Sequence, residues 1–324
     1  MKYTVIFALT IALLICSVGC GMDQQSGKSG PKVEFVKSAD KIDVVIGGNL
    51  FTSYMYGDSL TKPVLYPVIT PAGIKVNRGY PFEKVEGEAT DHAHHIGIFF
   101  TYDEVNGNRF WNNKESLPKV EHVKFDAIKK GRGKGTLSTV MNWIGTDGKA
   151  VLQEKRDMTF TAGEKQNIID FSIDLTAKNE TVVFEDTKEG MFAIRTAQWL
   201  REKDGTGEYF SSDGDRKAQN IWGKRARWVA LEGNKDGIDV GIAILNHEPS
   251  TNYPTYWHAR NYGLFAANPL GQSVFQKKHK VKNPEPFNLT LKPGESAHFN
   301  FQVVIYDGKR TAEQIEEIFK AGVK

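Results

Sequence analysis

The chain has 324 residues, of which 40% are hydrophobic, 25% charged and 11% aromatic, with 31 Gly and 12 Pro. These proportions exclude a disordered tail, a collagen-like fibre and a multispan membrane protein, and they describe a globular chain. Lys and Arg number 42 against 39 Asp and Glu, a net charge of +3, which is too even to point to nucleic acid; the basic runs at 129–134 and 277–280 read as solvated turns.

Met1, Lys2 and Tyr3 form a short positive end, and 5–18 is an uncharged, largely apolar run too short for a comfortable membrane span. It reads as a secretory signal. The run closes on Ser17-Val18-Gly19-Cys20, small residues before a cysteine, as at bacterial lipoprotein cleavage sites; Ser17 departs from the usual Leu. The pattern predicts a signal peptide over 1–20, lipidation at Cys20, and a location in the bacterial cell envelope, lipid-anchored or periplasmic, with the membrane as a partner through the anchor. Residues 21–32 are rich in Gly, Ser, Gln and Lys and read as a flexible tether. Cys16 and Cys20 are the only cysteines, so the remainder has no disulfide, no thiolate nucleophile and no Cys-ligated metal.

From residue 33 to 324 no linker or internal repeat stands out, and a single domain is expected. Apolar residues alternate over 167–176, with Ile169, Phe171, Ile173 and Leu175 on one side, the pattern of a half-buried strand. Segments 135–144 and 150–160 flank an Asp147-Gly148 turn, 227–232 and 238–246 flank a second turn, and 287–291 and 297–306 flank Lys292-Pro293-Gly294-Glu295. All three read as hairpins. The C-terminus reads as a helix, with Thr311 as cap and Gln314 three residues on, expected to pack across the sheets. The fold class is mainly β: a large antiparallel β-sandwich with a short C-terminal helix. The galactose-mutarotase-like super-sandwich is one form such a fold takes, and two intimately packed sandwiches are the alternative.

Three of eight histidines fall within Asp91-His92-Ala93-His94-His95. If the strand over 96–101 starts early, His92 and His94 share one side and His95 takes the other, and two imidazoles beside Asp91 suit proton transfer or a metal ion. The run 102–112 packs acids, Asn106, Arg109 and Trp111 around an Asn-Gly turn, a mixture of aromatic plate and polar groups suited to a sugar. Glu185, Glu189 and Arg195 follow, with either acid the natural partner of an arginine in an apolar run. His247, Trp257, His258 and Arg260 form a second polar and aromatic focus, which a hairpin-like return would bring to one rim. No phosphate loop, HExxH helix, Gly-x-Ser-x-Gly elbow or CxxC is present in the sequence, so the chemistry falls to histidines and carboxylates.

The segments Arg78-Gly79-Tyr80-Pro81, 90–100, 103–111, 188–195, 225–229 and 257–269 resemble the PmoA-like family, named for a supposed methane oxygenase. That family's first motif looks like Asp-His-Pro-His-His-Arg-Gly, where Ala93 and Ile96 replace the Pro and the Arg. The oxygenase name does not transfer, because the chain has no spanning helix once its signal is removed. The resemblance implies a β-sandwich protein found beside sugar oxidoreductases and glycan-degradation genes.

The expected function is that of a cell-envelope lipoprotein acting on a saccharide by hydrolysis, elimination or epimerisation. His92, His94, His95, His258 and Glu189 are the candidate acid–base residues. Asp91, Asn106, Trp111, Arg195, His247, Trp257 and Arg260 are the candidates for substrate binding. No cofactor is required. A non-catalytic glycan-binding lipoprotein is the alternative, and a metal protein built on the histidines is a third reading.

Overall fold

A computed structural model of the protein describes residues 30–322. The signal segment, Cys20 and most of the expected tether lie outside the described residues. Two large antiparallel sheets face each other. One has nine strands in the order Tyr256–Ala259, Leu264–Asn268, Gly190–Arg195, Ile98–Tyr102, Val64–Val68, Asn49–Met55, Lys41–Ile46, Lys32–Lys37 and Gly131–Arg132. The other has eight: Glu208–Ser211, Trp228–Lys235, Ile238–His247, Ser296–Asp307, Gln166–Ala177, Ala150–Ala162, Lys134–Ile144 and Lys119–Lys129. Among the described residues no helix is long and apolar enough to cross a membrane.

Strand alternation decides which side chains meet between the sheets. Phe100 and Phe192 of the nine-stranded sheet reach across to Phe299, Phe171 and Phe301 of the other, with ring centroids 4.5–5.7 Å apart. Their neighbours Phe99 and Ala193 point the other way, into a separate cluster with Val64, Tyr66, Trp111, Leu264 and Ala266 on the outer face. The first strand in the chain starts at Lys32.

Of the three expected hairpins, the pairs 134–144 with 150–162 and 228–235 with 238–247 form as read. The third does not. Leu289–Leu291 pairs with Val182–Phe184 in a small sheet of its own, while Ser296–Asp307 lies between 166–177 and 238–247. A turn sequence sets the reversal of the chain but not the partner of a strand, which here is chosen by long-range contacts. The C-terminal helix, Ala312–Gly322, starts with the expected reciprocal cap: Gln314 N–H donates to Thr311 Oγ1 and Thr311 N–H to Gln314 Oε1. It lays Ile315 and Phe319 on Trp228, Leu245 and Val304, covering part of the outer face of the eight-stranded sheet.

One ion pair is sunk in the core. Glu154 and Arg156, both pointing inward from one strand, bond through Nε at 2.7 Å, and Trp143 Nε1 donates to the same carboxylate at 2.8 Å. Glu154→Ala strands a guanidinium in the apolar layer and should cost about 3–5 kcal/mol in denaturant unfolding. Glu154→Leu with Arg156→Met should cost markedly less; equal losses in both variants would refute a pairing role.

Candidate active site

Arg78 organises the histidine segment. The residue is 2% exposed, and its two terminal nitrogens donate to the carbonyls of Ala89, Asp91, His92 and His95 and to Asp91 Oδ1. With its carbonyls gathered around one cation, the segment forms a compact loop, not the early strand expected, and His95 N–H closes a turn onto His92 O. His92 has φ +44°, a left-handed conformation costly to most side chains and more tolerable for His, Asn and Asp. Gly97, at φ +53°, leads into the strand. A Cβ there would sit 2.1 Å from Leu65 O, so the approach excludes any side chain.

This loop turns Asp91 toward a second buried arginine. Arg195 Nη2 donates to Asp91 Oδ1 at 2.8 Å, beside the 2.9 Å bond from Arg78. The expected partners of Arg195, Glu185 and Glu189, are thus replaced by Asp91. Burial works to raise the Asp91 carboxyl, but the charge of Arg195, the hydrogen bond from His92 and the charge of Arg78 outweigh it and hold the group below the usual range. Oδ2 is left for His92 Nδ1 at 2.6 Å. The His92 side chain is 44% exposed, and Nε2 makes no hydrogen bond within the described residues. Its ring stacks with His95 at 5.0 Å and with Tyr262 at 5.7 Å.

His94 and His95 are buried, and their rings contact each other at 4.3 Å. Burial, with the nearby charge of Lys62, pushes His94 down to about 3; burial also drives His95 well below its ordinary value. The 3.4 Å approach of Arg195 Nη1, a donor, makes His95 Nδ1 the acceptor and leaves the proton on Nε2. Trp111 is fully buried between Phe99 and His95, so it cannot stack on a ligand as expected. Lys62, missed in the sequence, lies buried over the Phe99 ring at 5.1 Å, and desolvation lowers it to about 7.

From Tyr262 the surface continues away from the histidines. Arg195 lies 4.9 Å and Arg260 5.2 Å from the Tyr262 ring, and Arg260 is 5.9 Å from the ring of Trp222. A pocket of about 380 Å³ opens there, lined by Glu202, Gln219, Trp222, Arg260, Asn261 and Lys278 among others. Lys278 also lies over Trp222. Of the lining residues only Arg260 was nominated from sequence; Trp222, in an otherwise ordinary stretch, carried no signal beyond its residue type. His258 packs beneath Trp222 and Phe275, its Nδ1 donating to Lys188 O at 2.8 Å, and burial lowers it to about 3.

Several nominated residues do not join this surface. The register Phe99–Ala193–Ala266–His258 puts His258 three strands from Phe99, roughly 14 Å at ordinary strand spacing, so His258 and the histidine loop do not share one proton-transfer pose. Glu189 pairs with Lys188 and hydrogen-bonds no histidine. Trp257 is fully buried among the inter-sheet core residues with Nε1 on Ala226 O, and has no face to offer a sugar. Asn106 uses its amide on Thr181 O and Val183 N, a structural clamp. His247 belongs to the other sheet, stacked on Phe319, so it shares no rim with His258. Among the described residues no three His, Asp or Glu side chains converge as a metal site.

The profile of a family of unknown function, DUF6807, matches residues 41–320. The chain belongs to that family. The resemblance to the PmoA-like family is corrected by this match, which covers the same motifs. No curated protein matches the DUF6807 chain in sequence. Among solved structures it is similar to the GH36 alpha-galactosidase AgaB from Geobacillus stearothermophilus, at 12% identity and TM-score 0.41 over 86% of this chain and 41% of that one. It is also similar to a galactose mutarotase related enzyme from Lactobacillus acidophilus, at 11% identity and TM-score 0.32 over 86% and 98%. A putative aldose 1-epimerase from Escherichia coli K12 matches at 10% and 0.28 over 87% and 100%. The DUF6807 chain spans about two-fifths of the length of the galactosidases. Likenesses this distant assign no reaction.

Neutral buried histidines carry a pH signature. His258 is held near 3 in the folded state and titrates near 6.5 unfolded. Below pH 6.5 the unfolded chain therefore takes up a proton that the folded chain does not, and stability falls as pH drops toward 3. In His258→Gln the slope of unfolding free energy over this window should flatten by at most about 1.4 kcal/mol per pH unit. An unchanged slope in denaturant titrations would show that His258 is not buried neutral.

Proposed function

We propose that the protein acts on a saccharide along the outer face of the nine-stranded sheet, with His92 moving the proton, and that it works at the cell envelope. The observation that carries the reading is the Asp91–His92 pair. A carboxylate pinned by two buried guanidiniums accepts from Nδ1, which places the lone pair of the neutral ring on Nε2, at the exposed side. A carboxylate that fixes tautomer and stabilises the imidazolium is the arrangement that makes a histidine an efficient general base. The reaction needs Asp91 only as an anion; the proton comes from a substrate hydroxyl, a water or a ring carbon and returns to product.

Tyr262, Arg260 and the Trp222 pocket supply the binding half. A sugar ring offers C–H faces to an aromatic plate and hydroxyls to amides and charges, and Trp222 stands among Gln219, Asn261, Glu202, Arg260 and Lys278. The two cations over Trp222 favour a ring with an acidic substituent. His94, His95 and His258 act by position: their burial keeps them neutral and unreactive.

A panel of neutral, uronate and sulfated oligosaccharides, incubated with the protein and followed by product analysis, tests both halves. Asparagine tolerates left-handed backbone, so His92→Asn should keep the fold while lowering kcat about 10²–10⁴-fold with little change in affinity. Trp222→Ala should weaken binding by about 0.5–1.5 kcal/mol, roughly two- to thirteenfold. A ligand bound and returned unchanged by the wild type would make the protein a glycan binder; undiminished turnover in His92→Asn would reject the dyad. For the envelope reading, Cys20→Ser should move the protein from the membrane to the soluble fraction, and an unaltered fractionation would reject the anchor.

A further inference from the structure

The eight-stranded sheet also has an outer face, and the C-terminal helix covers only part of it. Beside the helix runs a groove of about 1190 Å³. Its floor is a cross-strand row, Asp157–Ser172–Asn300–His247, flanked by Thr159 and Asp170 in the next row and by His298 in the one before. The segment from Glu248 to Tyr253 walls one side, and Gly322, at the end of the helix, also lines it.

Two features of this groove call for a ligand. His247 lines it and is 7% exposed, yet among the described residues neither ring nitrogen has a hydrogen-bond partner at ordinary distance, Gln302 being a polar neighbour that acts on it. Buried polar atoms are nearly always paired. Burial keeps this imidazole below its ordinary value, against the opposing pull of Asp170 and Gln302, so in neutral form it presents one donor and one acceptor. Two hydroxyls, one accepting and one donating, would answer them. Second, the lining holds the carboxylates of Asp157, Asp170 and Glu248 together with Ser, Thr and Asn side chains, and no Lys or Arg among the described residues. Such a surface accepts hydrogen bonds from hydroxyl donors and repels anions. Tyr253 adds an aromatic ring at the wall.

We infer that this groove is a second saccharide site, separate from the Trp222 pocket and selective for a neutral, hydroxyl-rich glycan chain over an acidic one. The inference stands apart from the dyad, since no residue is shared. The two faces then divide the labour: the cationic pocket takes the ring to be processed, and the acidic groove holds an uncharged stretch of chain.

Calorimetry with neutral tetra- to hexasaccharides of glucose, galactose and N-acetylglucosamine, with oligogalacturonate and with spermine, decides it. Binding of at least one neutral chain is expected, weakened at least tenfold by Asp157→Arg, at an exposed position, and by Ser172→Trp, which fills the floor. The same binding should be unchanged in Trp222→Ala and His92→Asn, which keeps a failure of the catalytic reading distinct from a failure of this one. No neutral chain bound by the wild type, binding insensitive to both groove variants, or spermine bound in place of sugars would each overturn it.

Discussion

The guanidinium of Arg78 is the constraint on which the site depends. Burying a charge is costly unless its donors find acceptors, and the two terminal nitrogens of Arg78 find four backbone carbonyls and the Asp91 carboxylate within 89–95, while Nε has no partner among the described residues. The loop has little freedom left, because moving any of these carbonyls leaves a donor unsatisfied in a buried place. Its shape in turn delivers Asp91 to Arg195, on a strand a hundred residues later, and presents His92 to solvent. One cation thus converts a flexible, histidine-rich segment into a rigid platform, and it does so from a position that carries no chemistry itself. Its burial beside Arg195 lowers it to about 10, still fully cationic at neutral pH.

The sheet beneath supplies the breadth of the surface. Alternation sends Ile98, Phe100, Phe192, Ile194, Trp257 and Phe265 inward, which frees Phe99, Ala193, Arg195, Leu264, Ala266 and His258 for the outer face. Two of these are alanines, Ala193 and Ala266, between Phe99 and His258 in one register. Small side chains at the middle of the row lower the floor, so that Tyr262, Arg260 and Trp222 can bridge above it.

Local patterns made much of this legible in the sequence, and non-local ones did not. The hairpin around Asp147-Gly148, the alternating strand 166–177 and the capped C-terminal helix each rest on contacts within a few residues, and each forms as read. The pairing of 289–291 with 182–184 rests on contacts a hundred residues apart, which no turn signal encodes. The same divide runs through the site. Clustering marked Asp91 and His92, but the arginine that shapes them was visible only as part of a matching stretch. Polar neighbours suggest Trp111 and Trp257 as plates; strand and loop instead turn them into core, and the tryptophan that borders the pocket is the half-buried Trp222. A tryptophan's side of the sheet depends on register, and a sequence window does not contain the register.

The burial of His94 and His95 beside an exposed histidine has its own logic. His92 needs a fixed ring plane if Nε2 is to point outward, and flat stacking on His95 and Tyr262, within 7° and 11° of parallel, supplies it. An imidazole serves as a stacking partner only while uncharged, since a cation 5 Å away would oppose protonation of His92. Desolvation removes that charge from His95, and the Arg195 bond to Nδ1 fixes its tautomer. An aliphatic side chain at 95 would provide bulk without accepting from Arg195, leaving another donor of that buried guanidinium unpaired. The cluster of three is therefore divided by depth: the two buried rings are held neutral, and the third stands exposed beside the Asp91 carboxylate.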